Sequence, residues 1–194
     1  FTNDIDIKKC VKSTILHELN HIYEYYKRKL NNSKSIPIAL TWACIGENIK
    51  KRPSSIWCYW QSNFLELIYK SEPHEKRAII HEAYPYKNYS FDEFKNNKIW
   101  INAKNMQQFD ENKFIENIKF IINNHNKFYE NKFINILIKD FLENYNKLCI
   151  EFNESNMLCN LNCNNSDKFF KYWGKFIRKS GDEIIRKLSK LFIE

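Results

Sequence analysis

Glycine and proline are scarce, with 3 and 4 copies in 194 residues. Sandwiches and barrels of β-strands turn the chain often and spend both residues on the turns, so their scarcity points to helices. Three glycines also leave no glycine-rich phosphate loop. No apolar run reaches the roughly 20 residues that span a bilayer, so direct membrane insertion of this domain is not expected. Long basic blocks are absent too: none is longer than Lys50-Lys51-Arg52. The 31 Lys and Arg are interleaved with 23 Asp and Glu. Lysine outnumbers arginine, whose planar fork suits phosphate and base recognition. The net charge of +8 therefore reads as solvation, and nucleic acid is not an expected partner. No signal peptide follows Phe1, and that start reads as a fragment or a processed chain.

What is present builds a core. Hydrophobic residues make up 43% of the chain and aromatics 16%, too apolar for an intrinsically disordered segment. No internal repeat and no linker interrupts the sequence, so residues 1–194 read as a single helical, cysteine-containing domain. The abundance of Asn, Lys and Ile reflects codon usage in an AT-rich genome and is not a demand of any fold.

Periodicity places the elements. From Ile5 to Asn32, Val11, Ile15, Leu19, Ile22, Tyr26 and Leu30 recur at spacings of three and four, one apolar stripe on one helix. A second helix is expected over Ile38 to Lys50. A third covers Ile56 to Lys70, capped by Ser54 or Ser55 and carrying Trp57, Trp60, Phe64, Leu65 and Ile68. Between Pro73 and Met106 the pattern is least regular: Ser90 to Glu93 reads as a capping box, and Lys98 to Asn102 as extended or irregular chain. Glu111 to Phe152 follows as one long helix or two, with the joint at Asn123 to Asn126. Asp167 to Ile193 is a final amphipathic helix, with a possible restart at Ser180-Gly181-Asp182. The fold expected is an all-α bundle of long amphipathic helices with one irregular segment at about 73–106.

Six cysteines, Cys10, Cys44, Cys58, Cys149, Cys159 and Cys163, suit three disulfides. Most lie near helix ends or loops, where a crosslink restricts the unfolded chain most. The bundle is therefore expected to be disulfide-stapled, with Cys44 joined to Cys58 and the Cys149 to Cys163 group closing on itself and on Cys10.

One motif carries sharper chemistry. His17-Glu18-Leu19-Asn20-His21 has two histidines four apart and a glutamate beside the first. On a helix both imidazoles share a face and can hold Zn²⁺, while the glutamate activates the metal's water. Three features argue against this use. If the apolar stripe faces the core, His17 and His21 face outward. No third ligand stands at the usual spacing, Glu47 being the nearest glutamate in a helical context. No β-sheet is expected to align a substrate. A structural zinc on His17, His21, Cys159 and Cys163 would compete with disulfides for the same cysteines. His74-Glu75 and His81-Glu82, seven residues apart, could share one face of a short helix and read as surface pairs.

No catalytic residue or cofactor is assigned at this point. Trp42, Trp57, Trp60, Trp100 and Trp173 read as core. Tyr84, Tyr86 and Tyr89, clustered around Pro85, read as exposed side chains of a protein-binding surface.

The Asn-, Lys- and Ile-rich chain, its long amphipathic helices, scattered tryptophans and six cysteines resemble in style the ectodomains of malaria-parasite surface and exported proteins of the SURFIN and PIR type. No cysteine of this chain aligns onto either family's pattern, so the resemblance assigns no residue a role. It implies a secreted or infected-cell-surface domain, membrane-anchored through its parent protein, that binds a host protein or receptor or displays variable surface to antibodies. A non-enzymatic extracellular domain is the leading expectation. A zinc metallopeptidase using His17, Glu18 and His21 is the first alternative, and an intracellular helical scaffold the second.

Overall fold

The computed structural model describes residues 4–31, 54–125, 132–151 and 166–192. Helix accounts for 88% of these residues and no strand occurs among them, so the fold is all-α. Helix α1 runs over Asp4–Leu30 and α2 over Ser54–Trp60. A π-helical turn at Gln61–Leu65 leads without a break into α3, Glu66–Lys70. The remaining helices are α4 (Pro73–Glu82), α5 (Phe91–Phe94), α6 (Lys98–Gln107), α7 (Glu111–His125), α8 (Lys132–Glu151) and α9 (Ser166–Lys190). No helix among the described residues is long and apolar enough to cross a membrane.

The segment at 73–106, expected to be irregular, is instead a run of short helices. Pro73 opens α4 in the first turn, where its missing N–H costs nothing. Pro85 lies in a single 3-10 turn, Tyr84–Tyr86. Ser90 forms the expected capping box with Glu93. Lys98 to Asn102 is helical rather than extended. Asn97 caps α6 by accepting from the Ile99 N–H at 2.9 Å, and Ile99, Trp100, Ala103 and Met106 bury one face at helical spacing. The alternation around Trp100 covers too few residues to tell a strand from one buried helix face.

The described residues divide into two compact units. One contains α2, the π turn, α7, α8 and the first part of α9. Its core is aromatic: Trp60, Phe64, Phe114, Phe141, Phe169, Phe170 and Trp173 are all buried. Phe64 stands 5.4 Å from Phe114 and 5.3 Å from Phe170 between ring centroids, and Phe141 stands 5.5 Å from Trp173.

The other unit contains α1, α4, α5, α6 and the end of α9 from Ile177. Here α9 continues straight through Ser180-Gly181-Asp182, without the restart expected there. A Cβ on Gly181 would lie 2.4 Å from the Gln107 backbone N, so glycine is what lets α9 and α6 approach. Ser180 beside it donates to the Ser71 carbonyl at 3.2 Å, and Gln107 donates to Asp182 at 2.7 Å.

Helix α1 presents the opposite face to the one its periodicity predicts. Val11, Ile15, Leu19, Ile22, Tyr26 and Leu30 are between 51% and 83% exposed. The face packed on α4 carries Ser13, His17, Asn20, His21 and Glu24, with Ser13 and Asn20 buried. These positions also recur at spacings of three and four, so α1 has two stripes and the polar one makes the seam. The polar stripe is held by partners. Ser13 donates to the Glu82 carbonyl at 2.7 Å, Asn20 donates to the His74 carbonyl at 3.5 Å, and Arg77 Nε meets Glu24 at 2.9 Å.

Of the six cysteines, Cys10 and Cys58 are free and exposed. Cys44, Cys159 and Cys163, and the side chain of Cys149, lie outside the described residues, as does the helix expected over Ile38 to Lys50.

Candidate metal centre

The seam between α1 and α4 gathers the titratable side chains. His17 and His21, one turn apart on α1, bring their rings to 4.8 Å between centroids. Both are turned toward α4, with side chains 20% and 25% exposed, so the outward orientation expected for them is corrected. Opposite them stands Glu75, whose side chain is 2% exposed. His21 Nε2 lies 3.1 Å from Glu75 Oε1, and His17 Nε2 lies 3.5 Å from Glu75 Oε2.

Glu75 was one of two His-Glu pairs that read as surface side chains; it is buried because α4 starts where it does. Glu72 is the residue before the helix and Pro73 its first. This puts Glu75 in the first turn, where the helix dipole favours a carboxylate. The second pair also turns inward in part: Glu82, two turns on, places Oε2 3.3 Å from His17 Nδ1. His17 thus has a carboxylate at each ring nitrogen. Its pKa is pushed up to about 9, first by the hydrogen bond to Glu75 and then by that to Glu82. The pKa of His21 moves the other way, lowered mainly by burial.

One donor atom from each of His17, His21 and Glu75 fits within 4.8 Å of the others. A zinc ion with bonds of about 2.0–2.2 Å in a tetrahedron separates its ligands by roughly 3.3–3.6 Å. The imidazole–carboxylate separations, 3.1 Å from His21 to Oε1 and 3.5 Å from His17 to Oε2, lie on either side of the lower end of that range. Two imidazoles and one carboxylate with a position left open form a ligand set of catalytic rather than structural zinc. Glu82 on the far nitrogen of His17 is the outer carboxylate that commonly fixes a metal-binding imidazole. Proton and metal compete for the same nitrogens, so metal uptake displaces the proton that the two carboxylates hold on His17.

Glu18 is exposed, at the solvent flank of the His17–His21 pair on α1. The residue that could serve as third donor, missing at the usual spacing, is Glu75, 54 residues beyond His21; Glu47 lies outside the described residues, as do Cys159 and Cys163. The signal that could have found Glu75 is the seven-residue interval between the two His-Glu pairs, which sets Glu75 and Glu82 on one face of α4.

The tyrosine cluster is placed elsewhere in the same unit. Tyr84 is exposed, Tyr89 intermediate and Tyr86 buried, which corrects the expectation that all three are surface side chains. Burial pushes the Tyr86 phenol pKa up. Lys9 Nζ lies 3.8 Å over the Tyr89 ring. Trp60, Trp100 and Trp173 are core, as expected; Trp42 and the Trp57 side chain lie outside what is described.

No protein-family model, curated protein or solved structure matches this chain, so the geometry of the seam is what bears on its chemistry.

Proposed function

We propose that this chain is a zinc-dependent hydrolase acting on peptide or related amide bonds, with His17, His21 and Glu75 as metal ligands and Glu18 as general base. The observation that carries the reading is Glu75, a buried carboxylate facing two imidazoles at 3.1 and 3.5 Å. Bound zinc would supply a polarised carbonyl and a water made acidic near neutral pH. Glu18, beside His17 and open to solvent, would serve as the base toward that water and as the acid toward the leaving nitrogen. Glu82 holds the His17 ring so that Nε2 faces the metal position.

The test pairs metal content with hydrolysis of a mixed peptide library by the zinc-loaded chain. One zinc per chain is expected, lost in His17→Ala. Glu18→Gln should keep the zinc and lose about 10²–10⁴-fold in rate. Zinc-loaded protein with no hydrolysis of any peptide, or hydrolysis unchanged in Glu18→Gln, would overturn the enzymatic reading.

A second reading draws on the exposed stripe of α1, where Val11, Leu19, Ile22 and Leu30 offer an apolar surface. In that reading the chain is a non-enzymatic extracellular domain that binds a host protein, with disulfides among its cysteines. Thiol counting on native protein separates the two: six free thiols oppose the crosslinked extracellular domain.

A further inference from the structure

Helix α1 leaves its apolar face open to solvent, on the side away from its seam with α4. Val11, Ile15, Leu19 and Ile22 are each about half exposed, and Tyr23, Tyr25 and Tyr26 more so. At about 100° per residue, the face between Tyr25 and Tyr23 spans roughly 160° of the helix surface. From Ile7 to Leu30 it runs for about 35 Å. A contiguous apolar surface of that size marks a place where something binds.

The ends of the face are basic. Lys8 and Lys12 stand at one end and Lys27 and Lys29 at the other, all exposed. Among the described side chains of α1, Glu18 is the only exposed acid. Lys27 Nζ lies 5.9 Å from the centroid of the Tyr23 ring, so cation and aromatic share one end.

This charge pattern chooses between occupants. A second copy of α1 laid on the first would bring lysine against lysine at both ends, whether parallel or antiparallel, and like charges oppose such pairing. A partner helix is selected by charges along the flanks of an apolar seam. Here the flanks of the middle carry Tyr23 on one side and Tyr25 with Glu18 on the other. An anionic bilayer surface meets both features. Lysine stems lie along apolar surface while their ammonium groups reach lipid phosphates, and tyrosines sit at headgroup level. The helix is not long and apolar enough to cross a membrane, so it would lie in the plane.

We propose that α1 docks flat on an anionic lipid bilayer, with Ile15, Leu19 and Ile22 in the boundary between headgroups and acyl chains and the four lysines on lipid phosphates. The docked face is the one that the second reading above gives to a host protein, and a lipid surface takes its place. The seam of His17, His21 and Glu75 lies on the opposite side of the helix, so this docking draws nothing from the metal centre.

Flotation of the full chain with two kinds of vesicle tests it, phosphatidylcholine alone and phosphatidylcholine mixed with phosphatidylserine. The chain should float with the mixed vesicles and stay behind with phosphatidylcholine alone. Raising the salt from about 0.1 M to about 0.5 M should weaken binding at least about 10-fold. Leu19→Gln combined with Ile22→Gln should weaken it at least about 10-fold with the helical circular dichroism unchanged. If that pair does not fold, Lys8→Gln with Lys12→Gln carries the test, with an expected loss of about 30-fold. No flotation with the mixed vesicles, equal flotation with both kinds, or binding unchanged in the variants would overturn the docking. So would gel filtration showing a dimer that Leu19→Gln with Ile22→Gln dissolves, or capture by an acidic helical peptide without vesicle binding; these would give the face to a second copy or to a protein.

Discussion

His21 Nε2 and Glu75 Oε1 lie 3.1 Å apart across the seam that joins α1 to α4. They are 54 residues apart in the chain, and the contact exists because α1 turns its polar face inward. Removing that carboxylate should remove the site. Glu75→Gln should bind zinc at least about 100-fold more weakly than the wild-type chain, measured by competition with a chromophoric chelator. Unchanged affinity would mean that zinc, if bound, sits elsewhere.

Metal should also hold α1 in place. Its seam with α4 relies on a few polar contacts, Ser13 to Glu82, Asn20 to His74 and Glu24 to Arg77, while its apolar stripe stays exposed. A ligand that binds only the docked state stabilises it by mass action. Chelation should therefore raise amide hydrogen exchange across Asp4–Leu30 and leave the aromatic core around Phe64 and Phe114 unchanged. Equal exchange in α1 with and without zinc would contradict this.

The exposed stripe predicts tolerance. Leu19→Lys, at a position 52% exposed, should change unfolding stability by no more than about 0.5 kcal/mol in a denaturant titration, as surface substitutions do. A loss of several kcal/mol would show that this face is covered.

Gly181 predicts the reverse. A methyl there meets the Gln107 backbone N at 2.4 Å and Cα at 2.8 Å, and backbone cannot yield as a flexible side chain does. Overpacking costs about 1–3 kcal/mol, against a helix-propensity gain of about 1 kcal/mol for alanine over glycine. Gly181→Ala should lower the melting temperature by about 2–8 °C. A rise would show that α6 and α9 separate at no cost.

Acid should weaken the same unit through Glu183. Its hydrogen bond to Lys76, aided by Lys187 at 3.2 Å, lowers its pKa below the usual 4.5. A depressed carboxyl pKa stabilises the fold above the unfolded value and loses that contribution as pH falls through the folded one. Stability of the wild-type chain should therefore drop below about pH 4.5 more steeply than that of Glu183→Gln, in denaturant melts at stepped pH. Parallel profiles would contradict the pairing.

The helices were largely legible in the sequence, because Trp60, Phe64 and Ile68, and again Phe114, Ile118 and Ile122, recur at the four-residue spacing of one helix face. Half of the centre was legible too, since His17 and His21 one turn apart form a local pattern. Glu75 was not: it lies between Pro73 and Pro85, which read as breakers, although Pro73 starts a helix. The orientation of α1 misled for another reason. Periodicity identifies an apolar face without saying that the core lies beneath it, and here paired polar groups make the seam.

X-ray absorption at the zinc edge of the zinc-loaded chain tests the account most directly. His17, His21 and Glu75 predict a shell of nitrogen and oxygen at about 2.0–2.1 Å with the outer-ring signature of two imidazoles and no sulfur. Sulfur at about 2.3 Å would assign the metal to cysteines instead, and a chain that leaves gel filtration without zinc would contradict the centre altogether.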